Sequence, residues 1–199
     1  MPQNIWVMLL IVILLITVAY SLYRSSLTKK YTNQLGELLV NKDFKTFDSM
    51  VNDPKVKKAV YPFNLDYMKL NSYMLRGDRR KIDAGFETFQ KVNLNRKQKE
   101  TIAVEGFTYY MGIRNKEKAK YFLDLMNQSS TNKAILDTSN EYYGIVYEGK
   151  TDKLEEMLLE TEALPEEEKS FNEYLISVMY RTLGDKEKAE EYEKRYKSH

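Results

Sequence analysis

The chain contains no cysteine, so disulfide frameworks and cysteine metal sites are excluded. Its only histidine is His199, which leaves histidine acid–base catalysis and histidine metal ligation without material. Four prolines and eight glycines in 199 residues are few, which suits a largely helical chain with short turns. No Gly-rich phosphate loop, His-Glu metal motif or nucleophile elbow is present. Paired carboxylates such as Glu155 and Glu156 are adjacent on a helix and point apart, so they share no site. The sequence therefore offers no metal, no cofactor and no catalytic residue, and predicts a protein that is not an enzyme.

Net charge is low, +2, but it is unevenly placed. Residues 24–101 carry 17 basic and 9 acidic side chains, whereas residues 102–199 carry 14 and 20. One reading is a solvated surface of uneven charge. The other is a basic face beside an anionic membrane leaflet. Nucleic acid is not expected as a partner, because the basic residues are scattered and not gathered in one strip.

Ile5 to Tyr23 is a run of 19 residues with no charge. At 1.5 Å of helical rise per residue it matches a hydrocarbon core of ~30 Å. Trp6 lies near one end and Tyr20 and Tyr23 near the other, where interfacial rings are favoured. The run predicts a single-pass transmembrane helix within residues 1–23, a juxtamembrane linker over 24–30 and a helical domain over 31–199. A cleaved signal peptide is the rival, since Ala19-Tyr20-Ser21 resembles a small-x-small site. Against it, Met1 to Asn4 contains no Lys or Arg. Arg24, Lys29 and Lys30 follow the run, so the positive-inside rule predicts a cell-membrane protein with its helical domain in the cytoplasm.

Five turn-like breaks sit at Lys42, Gly77, Arg114, Gly149 and Gly184, 35 to 37 residues apart. A period near 34 with helical text on both sides is the mark of a helix-turn-helix solenoid. The last unit is clearest. Ile176, Tyr180 and Leu183 recur at helical spacing, Gly184 can end the first helix in the left-handed conformation, and Asp185 can cap the second. A helix pair of this size cannot bury its apolar face alone, but stacked pairs make a continuous core. In the final helix only Ala189, Tyr192 and Tyr196 form an apolar stripe, as expected of an end cap.

Ile176, Ser177, Tyr180, Gly184, Asp185 and Ala189 resemble the tetratricopeptide repeat, which places a leucine, a small residue, an aromatic, Gly-Asp and an alanine at this spacing. Tyr110, Arg114, Asn115 and Ala119 match in the third unit, and Tyr73, Gly77 and Asp78 in the second, where Ile82 replaces the alanine. The fourth unit (Ile145, Gly149, Leu154) and the first (Leu38, Lys42, Phe47) are degenerate, and the early tryptophan of the family is absent throughout. The resemblance covers about residues 28 to 199. It implies an all-α, right-handed helical-hairpin solenoid of about five repeats that serves as a protein-binding scaffold or adaptor.

Sixteen tyrosines are many for this length, and Tyr73, Tyr110 and Tyr180 recur at the repeat period, which suits packing between helices. The resemblance implies that first helices line a concave groove for a protein or peptide partner. Mapped onto this chain, the groove residues are Tyr67, Asn71, Thr108, Asn140, Tyr143 and Tyr174. Relatives that clamp a carboxylate use lysines and asparagines here. Asn71 fits, but Tyr67 and Glu105 replace two of the clamp residues, so the clamp is rejected. Contact with the membrane, anionic lipid or an acidic partner falls to Arg24, Lys29, Lys30 and the basic run Arg79-Arg80-Lys81. The expected activity is a membrane-anchored scaffold. Its rivals are an extracytoplasmic scaffold of the same fold that serves envelope assembly, and an enzyme on a helical framework.

Overall fold

The computed structural model describes the backbone of residues 2–198 and the side chains of residues 12–198. It is all-helical, with eleven α-helices and no strand among the described residues. The chain divides into two compact units, Met1–Asn93 and Leu94–His199. The first holds α1 (Pro2–Val40), α2 (Phe44–Asn52), α3 (Pro54–Ala59), α4 (Pro62–Arg76) and α5 (Arg79–Gln90). The second holds α6 (Arg96–Gly112), α7 (Lys116–Ser129), α8 (Lys133–Tyr143), α9 (Leu154–Ala163), α10 (Ser170–Leu183) and α11 (Lys186–Ser198).

The transmembrane reading is corrected here. Among the described residues no helix is long and apolar enough to cross a membrane. Of the expected span, Ile5 to Ile11 have side chains outside the described residues. The described apolar text runs only from Val12 to Tyr23 before Arg24, Lys29 and Lys30 enter the same helix. Those residues rise about 18 Å, well short of the ~30 Å hydrocarbon core. The single-pass assignment, the cell-membrane localisation and the cytoplasmic side drawn from it fall together. Residues 24–30 are helical and continue α1 without a break.

All five expected breaks have left-handed backbone. The φ angles are 55° at Lys42, 68° at Gly77, 58° at Arg114, 72° at Gly149 and 84° at Gly184. At four of them the same two hydrogen bonds recur. The residue with positive φ donates its N–H to the carbonyl three back, and the next donates to the carbonyl five back. The second bond runs from Asp43 to Leu38 (2.9 Å), Asp78 to Tyr73 (3.1 Å), Asn115 to Tyr110 (2.9 Å) and Asp185 to Tyr180 (3.0 Å). This is the Schellman closure, which satisfies carbonyls orphaned at a helix C-terminus. The same Asp or Asn then caps the next helix, accepting from the N–H of Thr46, Lys81, Lys118 or Lys188 at 3.0–3.3 Å. One short side chain thus ends one helix and starts another.

In the first unit α1, α2 and α3 enclose a core of Leu35, Leu39, Phe47, Val51, Val56 and Val60, which Leu65 of α4 joins. The short α3 interrupts the expected alternation. Asp53 caps it, accepting from Lys55 N–H at 2.6 Å, and Pro54 sits in its first turn, where the missing N–H costs nothing. The Thr28 hydroxyl donates to the Ala59 carbonyl at 2.6 Å and ties α3 to α1. Arg76 of α4 grips Asp48 of α2 with two bonds of 2.9 and 2.6 Å, and its guanidinium lies 4.6 Å from the Phe44 ring centroid. Hydrogen bonding from Arg76 holds the Asp48 carboxyl below the usual range, against the opposing effect of burial.

In the second unit α6 and α7 form the tightest pair. Tyr110 stacks on Phe122 at 5.5 Å, and Ile102, Ala103, Ala119 and Met126 are buried around them. Gly106 permits this approach, for a Cβ there would lie 2.5 Å from the Phe122 ring. Towards the C-terminus a core of Ile145, Leu154, Met157, Ile176, Met179 and Tyr180 closes over Ala189 of α11. The other face of α11 is charged and carries the ion pairs Glu191–Arg195 and Glu193–Lys197, one helical turn apart.

Candidate protein-binding face

The helices that precede the left-handed turns of the second unit, α6, α8 and α10, share a line of aromatic rings. Phe107 of α6 meets Tyr142 of α8 edge-on at 6.1 Å, and Tyr142 meets Phe171 of α10 edge-on at 5.0 Å. Tyr174, one turn further along α10, packs edge-on against Tyr196 at 5.5 Å. Phe171 is 45% exposed, so the line reaches solvent. Edge-to-face contacts fix ring positions without closing the surface, leaving rigid apolar area with polar tips.

A π-helical turn, Gly144–Glu148, interrupts the regular spacing at the end of α8. It accommodates one additional residue, and its closing bond is correspondingly longer in sequence, from Gly149 N–H to the Gly144 carbonyl five residues back. The Lys150 N–H donates to the same carbonyl at 3.1 Å. Tyr147 lies within this turn. Its ring lies 5.1 Å from that of Tyr143, and its carbonyl accepts from the Lys116 ammonium at 3.2 Å. The Tyr147 hydroxyl is buried and has no hydrogen-bond partner. π-turns of this kind are frequent at functional sites.

Two phenols of this face, Tyr142 and Tyr147, hold their protons firmly. Burial first, then the neighbouring Tyr174 and Tyr147, pushes Tyr142 up to about 12, while Arg114 acts in the opposite direction. Burial likewise raises Tyr147, with Tyr174 and Tyr143 adding to it and Arg114 opposing. Near neutral pH these groups are therefore neutral donors close to one guanidinium. That chemistry suits carbonyl and carboxylate acceptors on a peptide. Among the described residues no cluster of three His, Cys, Asp or Glu could hold a metal ion.

The groove residues expected from sequence have different fates. Thr108 is exposed on α6 beside Phe107, and Tyr174 is half-buried on α10. Asn140 is half-buried and committed to structure, exchanging amide hydrogen bonds with Asn127 at 3.2 and 3.0 Å and donating to the Leu136 carbonyl at 2.7 Å. Tyr143 is only 4% exposed, with the Lys120 ammonium 5.9 Å from its ring. Tyr67 and Asn71 lie half-buried on α4 in the first unit, where Tyr67 stacks on Phe63 at 6.0 Å. Of the basic candidates, Arg24, Lys29 and Lys30 are exposed on α1, and Arg79, Arg80 and Lys81 are exposed in the first turn of α5. Lys81 pairs with Asp78 at 3.2 Å. Phe107, Tyr142, Tyr147 and Phe171 were not singled out by sequence reasoning. One signal was available, because Phe107 and Tyr142 stand one repeat period apart.

No family model, curated protein or solved structure matches this chain.

Proposed function

We propose that this chain is a tetratricopeptide-like scaffold, a solenoid of about five helix pairs that holds a segment of a partner protein. The observation that carries the reading is the recurrence of left-handed turns at Lys42, Gly77, Arg114, Gly149 and Gly184. Four of them share one pattern of hydrogen bonds and an Asp or Asn cap. A unit repeated in this way presents its first helices as a series, and side chains on that series form an extended binding surface.

In the second unit that surface is aromatic. Tyr142, Phe171 and Tyr174 supply contact area, the buried Phe107 ring holds Tyr142 edge-on, and Arg114 with the phenols supplies polarity. The partner segment is therefore extended or helical, with apolar side chains to lie between the rings. The role is adhesive and involves no catalysis.

Selection of a displayed peptide library on the full chain tests this. Truncating aromatic anchors commonly costs ~2 kcal/mol or more, which is about thirtyfold in affinity. Selected peptides should thus lose at least about thirtyfold on the double variant Phe171→Ala, Tyr174→Ala, with far-UV circular dichroism unchanged. Peptides that bind variant and wild type equally would place the binding surface elsewhere.

A further inference from the structure

The first unit carries a second feature, which does not rest on the scaffold reading. Two adjoining clefts open where α1 passes α3 and the start of α4. One, of about 340 Å³, is lined by Arg24, Lys55 and Lys58 together with Tyr20, Tyr23 and Tyr31. The other, of about 590 Å³, shares Arg24 and adds Lys29, Thr28 and Tyr61. No acidic side chain lines either cleft. The nearest acid in sequence, Asp53, is occupied in capping α3. Arg24 is held with its guanidinium 5.6 Å from the Tyr61 ring centroid, so its position is set from within the protein. The hydroxyl of Thr32, another lining residue, is buried without a partner.

Three cations lining one cleft without a carboxylate, Arg24, Lys55 and Lys58, repel one another. A ligand with two or more negative charges relieves that repulsion, whereas a single carboxylate leaves most of it. Ammonium and guanidinium groups in a cleft also lined by tyrosines match the many acceptor oxygens of a phosphate. We propose that the smaller cleft binds a phosphate-bearing ligand, with Arg24, Lys55 and Lys58 as its cationic contacts and Lys29 in the adjoining cleft. Along the same helix Val12, Ile13, Leu14, Leu15, Ile16, Val18 and Leu22 are exposed, so an ester with a hydrocarbon tail gains contacts there that free phosphate lacks. Both sources present the same phosphate chemistry to the cleft.

Isothermal titration calorimetry on the full chain at constant ionic strength tests the assignment. The probes are pyrophosphate and dihexanoylphosphatidic acid below its micelle-forming concentration, with dihexanoylphosphatidylcholine as the zwitterionic control. The double variant Lys55→Gln, Lys58→Gln removes two lining charges. Lys45→Gln with Lys91→Gln removes two exposed charges of the same unit that do not line the cleft. A charge-assisted contact is worth about tenfold in affinity. The lining variant should therefore weaken binding by at least about tenfold and the control variant by less than about threefold. Binding of both anionic probes assigns the site to phosphate itself. Binding of only one assigns it to the free or the lipid form. The proposal is overturned by the absence of saturable binding to either anion, by equal losses in the two variants, or by phosphatidylcholine binding as tightly as phosphatidic acid.

Discussion

Replacing Gly106 with alanine gives the sharpest test of how the second unit is packed. A methyl group at this position would sit 2.5, 2.6 and 2.7 Å from three ring carbons of Phe122. Ordinary contact begins near 3.4 Å, so the ring would have to retreat by nearly 1 Å. It has little room, being 1% exposed and stacked on Tyr110 at 5.5 Å, with Ala119 and Met126 fully buried nearby. Overpacking of this kind costs ~1–3 kcal/mol. Against it stands the helix-propensity gain of alanine over glycine, about 1 kcal/mol in a helix interior. Gly36, inside α1, supplies the control, because its Cβ would meet nothing within 4 Å. Gly36→Ala should stabilise by about 0.5–1 kcal/mol, and Gly106→Ala should fall roughly 1–3 kcal/mol below it. Urea denaturation of the full chain followed by circular dichroism measures both. If Gly106→Ala is as stable as Gly36→Ala, the close approach of α6 and α7 through Gly106 and Phe122 is wrong.

Lys42 and Arg114 hold left-handed backbone at φ 55° and 58° without being glycine, so Lys42→Gly and Arg114→Gly should each raise stability by up to ~1 kcal/mol in the same assay. Tyr142 titrates later in the folded chain than in the unfolded one, so its contribution is intact below about pH 10 and declines as pH rises towards about 12. Unfolding free energies across that limb should decline less steeply in Tyr142→Phe, and an identical slope would contradict the burial described. Asp48 has the opposite sign, since its folded carboxyl is more acidic than the usual ~3.9 and its stabilisation is present above that pH. That stabilisation is lost as pH falls through the lowered value. Asp48→Asn should flatten the acid limb by less than ~1 kcal/mol, because the carboxylate side chain is 51% exposed.

The helices and their breaks were legible because each break carries a local chemical signal. Asp43, Asp78, Asn115 and Asp185 serve as C-terminal closure and N-terminal cap at once, and residues of this type do so through bonds that span only a few positions. Ala119 and Ala189, which match the alanine of the resembled repeat, are 0% and 2% exposed. Features that depend on neighbours far along the chain were not legible. The six-residue α3 is too short to show a helical period. The π-turn at Gly144–Glu148 breaks the 3.6-residue spacing on which sequence reading relies, so no period marks Tyr147. The resemblance places Tyr143 in the groove by its position in the repeat, which carries no information on its burial, and it is 4% exposed. Gly106 has no side chain to reveal that Phe122 lies against it. The membrane reading failed for a different reason: it rested on the whole run from Ile5 to Tyr23, whereas the helix described from Val12 onward becomes charged at Arg24.

Hydrogen–deuterium exchange of the full chain, with and without a library-selected peptide at saturation, tests the scaffold account most directly. A peptide held by the first helices of the second unit should slow exchange in Arg96–Gly112, Lys133–Glu148 and Ser170–Leu183. It should leave Lys116–Ser129 and Leu154–Ala163 nearly unchanged. Protection confined to those last two helices, or spread evenly over all of them, would contradict the account.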